Sequence, residues 1–308
     1  MATSNGNAVV GSAAHTPNTE VDSARTPKRP MYLNTRTFTS HIFYGPYIWL
    51  PIICAFAWLS ALLALLGIWV HDGKPRYKST EAAVVFISDI AAGHKRVFIP
   101  LTCITAAFYV ASLLAERWLR YIDRLPTDIR KREEILSWLG IVCATIGGTA
   151  LILLAVFDTF HHSRVHWSMT CLFVIGVAFS AIFQSGQVWS LHKDHPNRPS
   201  LLRSSIAKLV IVVLAIAGAI AFAVLYGICR GKDLARRKHT AAQCERITSG
   251  AAAMEWTIAF ILFFYFLTLV ADLWGAAKSS PRYIRSLERW EQKNGIAPSA
   301  GRVMKETV

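Results

Sequence analysis

The 308-residue chain carries a formal net charge of +14 at pH 7, 53% hydrophobic residues, only 17% charged residues and a mean hydropathy of +0.36. Those values exclude an ordinary water-soluble domain surface. The basic residues lie between long apolar segments rather than on one soluble face, so the expected counter-charge is an anionic lipid leaflet and not nucleic acid.

The first 46 residues are polar and rich in Ser, Thr, Asn and Pro. They lack the short apolar core and cleavage site of a secretory leader, so the first span is expected to act as its own insertion signal. Residues 1–40 have no apolar period and are predicted to form a disordered cytosolic tail. A helix crossing a hydrocarbon core of about 30 Å needs roughly 20 mainly apolar residues. Six stretches meet that length, at 47–70, 97–115, 136–157, 167–190, 206–229 and 254–275. The runs are uninterrupted rather than alternating, which favours helices over barrel strands. The prediction is an all-α, six-helix transmembrane bundle over 41–278 with short loops.

Lys and Arg counts orient it. With both chain ends inside, the tails and the second and fourth loops hold 20 of them, against 12 in the other three loops. The fifth loop, with Arg230, Lys232, Arg236, Arg237, Lys238 and Arg246, runs against this bias, and Lys208 lies within the fifth span. Trp49, Trp69, Trp118, Tyr121, Trp167, Trp189, Trp256 and Trp274 fall near span ends, as an interfacial aromatic belt requires.

The first outer loop contains an apolar segment, 82–92, too short to cross a bilayer and expected to pack over the bundle mouth. Asp89 within it needs a partner, for which Arg164 or a protonated histidine is the sequence-level choice. Between spans three and four lie Asp158, His161, His162, Arg164 and His166. Three imidazoles and a carboxylate at this spacing fit a hydrolytic zinc site. The preferred reading is that they cap helix ends and hydrogen-bond across the mouth, with no metal and no catalytic residue assigned; the zinc site and proton-linked work are the alternatives. No cofactor is assigned. Gly176 and Ser180 form a small-xxx-small pair suited to close helix contact. Glu255 is expected at the N-terminus of span six, where the helix dipole favours a carboxylate. Cys229 and Cys244 bracket the fifth loop on the predicted outer side, where a disulfide can form.

On the predicted cytosolic side, Arg117, Arg120, Arg130, Lys131 and Arg132 cluster in the second loop. In the 279–308 tail, Tyr283, Ile284, Leu287 and Trp290 recur at helical spacing after Pro281, with Arg282, Arg285, Arg289 and Lys293 around them. Such a basic amphipathic helix is expected to lie on an anionic leaflet.

The order of Phe86-Ile-Ser-Asp89, a second span ending Glu116-Arg-Trp-Leu-Arg120, the Asp158 to His166 cluster, Gln184 and Gln187 in span four, and Glu255-Trp256 in span six resembles the Frag/DRAM/Sfk superfamily. The resemblance runs from about Tyr44 to Ala276 and is nearest to the fungal Sfk-like branch. It implies six spans with cytosolic ends and a regulator or adaptor that supports recruitment of a phosphatidylinositol 4-kinase complex and phospholipid organisation at the plasma membrane. Other branches imply remodelling of glycosylphosphatidylinositol lipids or a role in autophagy, on the vacuole, lysosome, ER or Golgi. After Ser88-Asp89 this sequence reads Ile-Ala-Ala-Gly-His, a departure from the autophagy-type pattern.

Overall fold

The computed structural model describes residues 28–78, 82–194, 199–229 and 239–299. Its described residues contain helices and no strand. The membrane helices are α2 (Trp49–His71), α4 (Lys95–Tyr121), α5 (Lys131–Val156), α6 (Ser163–Asp194), α7 (Pro199–Ile228) and α8 (Ala241–Leu273). Three short helices accompany them: α1 (Phe38–Tyr44), α3 (Ile87–Gly93) and α9 (Pro281–Lys293). All six long helices are apolar enough to cross a membrane. Their even number puts both described chain ends on one side, here the terminal face, with the C-terminal ends of α2, α5 and α7 and the starts of α4, α6 and α8 on the opposite, distal face.

Each span packs on its chain neighbours, and α8 closes the ring against α2. Hydrogen bonds tie the wall across its middle, where water is absent and an unmade bond is costly. Trp58 Nε1 donates to Ala259 O at 2.8 Å, Tyr109 Oη donates to Ser180 Oγ at 2.9 Å, and Ser180 Oγ donates to Gly140 O at 2.8 Å. Gly147 and Gly176 meet backbone to backbone between α5 and α6, the close contact that the small-residue spacing around Gly176 predicts. Helix α7 is the most peripheral span: Leu209, Val210, Val213, Leu214, Ile220 and Val224 are all exposed, as lipid-facing positions should be.

Several helices outrun the expected spans. Helices α7 and α8 begin at Pro199 and Ala241, several turns before the predicted starts, because helical hydrogen bonding continues through polar residues beyond the hydrocarbon. Glu255 therefore lies in the fourth turn of α8 and not at its N-terminus.

Residues 1–27 of the expected disordered tail lie outside the described residues. From Met31 onward, however, the chain is folded onto the terminal face, short of the boundary at 40. Leu33 is buried with Tyr283 and Leu287, and Tyr283 Oη donates to Leu33 O at 3.1 Å. The apolar stripe of α9 is thus occupied by protein, including Tyr44, and is not free to enter a leaflet. Burying each such side chain contributes about 1.5–3 kcal/mol. A local window missed this because the partners are some 250 positions apart.

Candidate functional site

The distal face is organised around two carboxylates that the connections bury. Asp158 caps the turn after α5, accepting from Phe160 N–H at 2.7 Å and His161 N–H at 2.8 Å, and it forms an ion pair with Lys95 at the start of α4. Burial by itself would raise its pKa; Lys95 and the His161 backbone outweigh that and hold the carboxyl below the usual carboxylate range. Asp89 pairs with Lys78 at 2.5 Å, not with Arg164 or a histidine as the sequence suggested. Lys78 is the nearer cation, and it also donates to Thr159 Oγ1 and stands over the Phe160 ring.

The 82–94 segment is fastened to α8. Glu255 Oε2 accepts from Ile87 N–H at 2.8 Å, and Trp256 Nε1 donates to Val85 O at 3.1 Å. Cys229 and Cys244 are joined by a disulfide between the end of α7 and the first turn of α8.

The three histidines do not converge. His166 is buried with Nδ1 against the carbonyls of Leu154 and Phe157, which makes Nδ1 the protonated donor. His161 is largely exposed and turns to Asp158, while His162 packs edge-on against Phe157. Among the described residues no group of three His, Cys, Asp or Glu side chains is arranged to hold a metal ion. The geometry matches the helix-capping reading of this cluster.

Next to these groups lie adjoining spaces that share lining residues. An upper chamber of about 320 Å³ is lined by Asp89, Ser88, Glu255, His166 and aromatic side chains of α6 and α7. It shares Ser88, Glu255 and His166 with a more apolar chamber of about 140 Å³ that reaches Trp58 and Leu151. The lower chamber in turn shares Phe173, Ala219 and Ile258 with an apolar groove of about 420 Å³ between α6, α7 and α8.

The terminal face carries a second polar network. Arg120 is buried, pairs with Glu116 at 2.6 Å and donates to Pro126 O at 2.9 Å. Arg117 is bound to Asp128 and, at 2.7 Å, to Glu134. Both were expected to face lipid or a partner; instead they pin the 122–130 connection, since Arg117 with two carboxylates and Arg120 with one carboxylate and a carbonyl are better satisfied inside than in a leaflet. Arg130 reaches Asp194 at 2.8 Å but stays half exposed, and Lys131 and Arg132 are open. Glu133, buried, accepts from Ile129 N–H and Ser190 Oγ. Arg282, Arg285, Arg289 and Lys293 stand exposed on α9, and the three arginines border a shallow depression of about 620 Å³ with Phe43.

Sequence reasoning missed one pair altogether. Lys208 of α7, fully buried, forms an ion pair with Asp272 of α8, which also accepts from Ser204 Oγ at 2.7 Å. The available signal was a lone cation and a lone anion at the same end of two antiparallel neighbours.

A family model described as the Frag1/DRAM/Sfk1/Cwh43P N-terminal domain matches residues 46–276. Protein sfk1 of Schizosaccharomyces pombe is 30% identical over 241 residues, covering 78% of this chain and 68% of that protein. Protein SFK1 of Saccharomyces cerevisiae is 28% identical over 166 residues, covering 43% of this chain and 47%, about half, of that relative. No solved structure matches the chain.

Proposed function

The chain belongs to the Frag1/DRAM/Sfk1/Cwh43P family, is an integral membrane protein, and from that premise we propose that it acts as a plasma-membrane regulator or adaptor. Its terminal face is turned to the cytosol and engages anionic phospholipid, supporting recruitment of a phosphatidylinositol 4-kinase complex and the organisation of phospholipid there. The orientation rests on the Lys and Arg bias of the tails and even-numbered loops.

The observation that carries this reading is the docking of α9. Tyr283 and Leu287 are buried against Leu33, which holds Arg282, Arg285 and Arg289 outward on a rigid support. A fixed row of guanidinium groups at the membrane surface attracts anionic headgroups at about 1 kcal/mol per residue. It also suits planar, bidentate recognition of phosphate or carboxylate.

The test replaces Arg282, Arg285 and Arg289 together by Gln. Binding of vesicles rich in phosphatidylserine should fall several-fold, and recovery of the kinase complex with the tagged protein should fall with it, at unchanged protein level. Unchanged vesicle binding together with unchanged phosphatidylinositol 4-phosphate would overturn the proposal.

A further inference from the structure

The distal chambers have a composition that the terminal-face reading does not use. One wall of the upper chamber is aromatic. Trp167 and Tyr226 have ring centroids 4.4 Å apart, Phe222 stacks on Tyr226 at 5.5 Å, and Phe86 meets Tyr226 edge-on at 5.8 Å. The same space is lined by Glu255 and by the Asp89–Lys78 pair. Asp89 has its cation. Glu255 accepts from the Ile87 amide and forms no ion pair among the described residues. His166, whose Nδ1 faces the carbonyls of Leu154 and Phe157, also lines the chamber.

An aromatic wall beside carboxyl oxygens is the chemistry that binds an organic ammonium, attracted to the ring faces and donating to the oxygens together. Lys78, matched by Asp89, adds no net charge to the chamber, so the group that the wall and Glu255 suit is the ammonium of a lipid headgroup.

The space below describes its tail. The lower chamber shares Phe173, Ala219 and Ile258 with the adjoining groove between α6, α7 and α8, whose lining is almost wholly apolar. Along α6 the groove runs from Phe173 to Ile182. At 1.5 Å per residue that is roughly 14 Å, about half the hydrocarbon thickness and so the reach of one acyl chain in one leaflet. The groove faces the bilayer, since Ile182, Ile216 and Ile220 along it are exposed. We propose that the distal half of the bundle is a binding site for a bilayer phospholipid with an ammonium-bearing headgroup, held by Glu255 and the Trp167–Tyr226 wall with one acyl chain in the α6–α8 groove. This site is separate from the terminal face and does not rest on its proposed role.

The test uses the full chain in nanodiscs containing trace phosphatidylcholine with a photoactivatable group on one acyl chain. Crosslinks should map to 173–182 and 258–265, and the same probe on phosphatidylglycerol should label those peptides at least five-fold less. Glu255→Gln, which keeps the acceptor for Ile87, should cut the phosphatidylcholine labelling at least five-fold. Ala219→Trp, which fills the junction of chamber and groove without touching the headgroup, should do the same, so the proposal stays testable if the Glu255 variant fails to fold. Equal labelling by the two lipids, or labelling that survives both substitutions in folded protein, overturns it. So does complete competition by free choline, which would place the specificity in the headgroup with no tail bound.

Discussion

Gly176 of α6 lies directly against Gly147 of α5, so close that a Cβ on Gly176 would stand 2.9 Å from the Gly147 Cα and 3.0 Å from the Cys143 carbonyl oxygen. Both obstacles are backbone, and no rotamer change relieves them. Gly176→Ala should therefore separate α5 from α6 and destabilise the protein by about 1–3 kcal/mol. Gly186→Ala on the same helix is the contrast: its Cβ would meet only Leu136 Cδ1 at 3.8 Å. There the gain in helix propensity, up to about 1 kcal/mol, should leave stability unchanged or higher. Thermal unfolding of both variants in the same detergent measures the difference.

The Lys208–Asp272 pair is buried between two spans, where a single charge is far more expensive than a matched pair. Lys208→Met or Asp272→Leu alone should cost about 3–5 kcal/mol, whereas the double variant should recover most of that loss. A double-substitution cycle on unfolding midpoints reads the coupling. Additive losses would show that the two groups act independently.

His41 is buried on the terminal face, its ring 4.0 Å from the Trp274 ring between centroids. Burial is the main cause of its lowered pKa, opposed by a Thr35 backbone hydrogen bond and reinforced by Lys278. The fold holds the ring neutral, while the unfolded segment protonates near 6.5. The contribution of this contact is thus complete above about pH 6.5 and declines as the pH falls below it. Amide protection factors in 38–44, corrected for the intrinsic pH dependence of exchange, should fall between pH 7 and 5, and His41→Phe should remove that dependence.

Asp158 works in the opposite range. Its depressed pKa means that stability is present above the unfolded carboxyl value of about 3.9 and is lost as the pH drops through the lower folded value. Asp158→Asn keeps the shape but removes the charge that Lys95 and the Phe160 and His161 amides address. The expected cost is about 1.5–3 kcal/mol. It should appear as faster exchange in 158–166 at neutral pH, with no further acid-dependent loss from this site.

Local physics was legible wherever one helix sufficed to express it. Six apolar runs of spanning length, the small face at Gly176, the amphipathic stripe of α9 and the capping role open to Asp158 all follow from spacing along one segment. Corrections arose where a partner lay outside the periodic stretch being read, even when it was close along the chain. Arg120 reads as a surface cation, but its helix brings Glu116 one turn behind it and the following connection brings the Pro126 carbonyl, so it is buried. Asp89 met Lys78, a pairing that composition does not encode.

By itself the sequence determined that this chain lives in a bilayer, since six mainly apolar runs of about 20 residues match the hydrocarbon thickness and each helix satisfies its own backbone there. Only the tertiary structure decided which polar groups face each other: that α9 rests on Leu33 rather than on lipid, that Lys208 finds Asp272, and that Glu255 lines a chamber walled by Trp167 and Tyr226. Those pairings depend on how helices rotate and pack about one another, a choice made by summed side-chain contacts between segments and not by the hydropathy of any one of them.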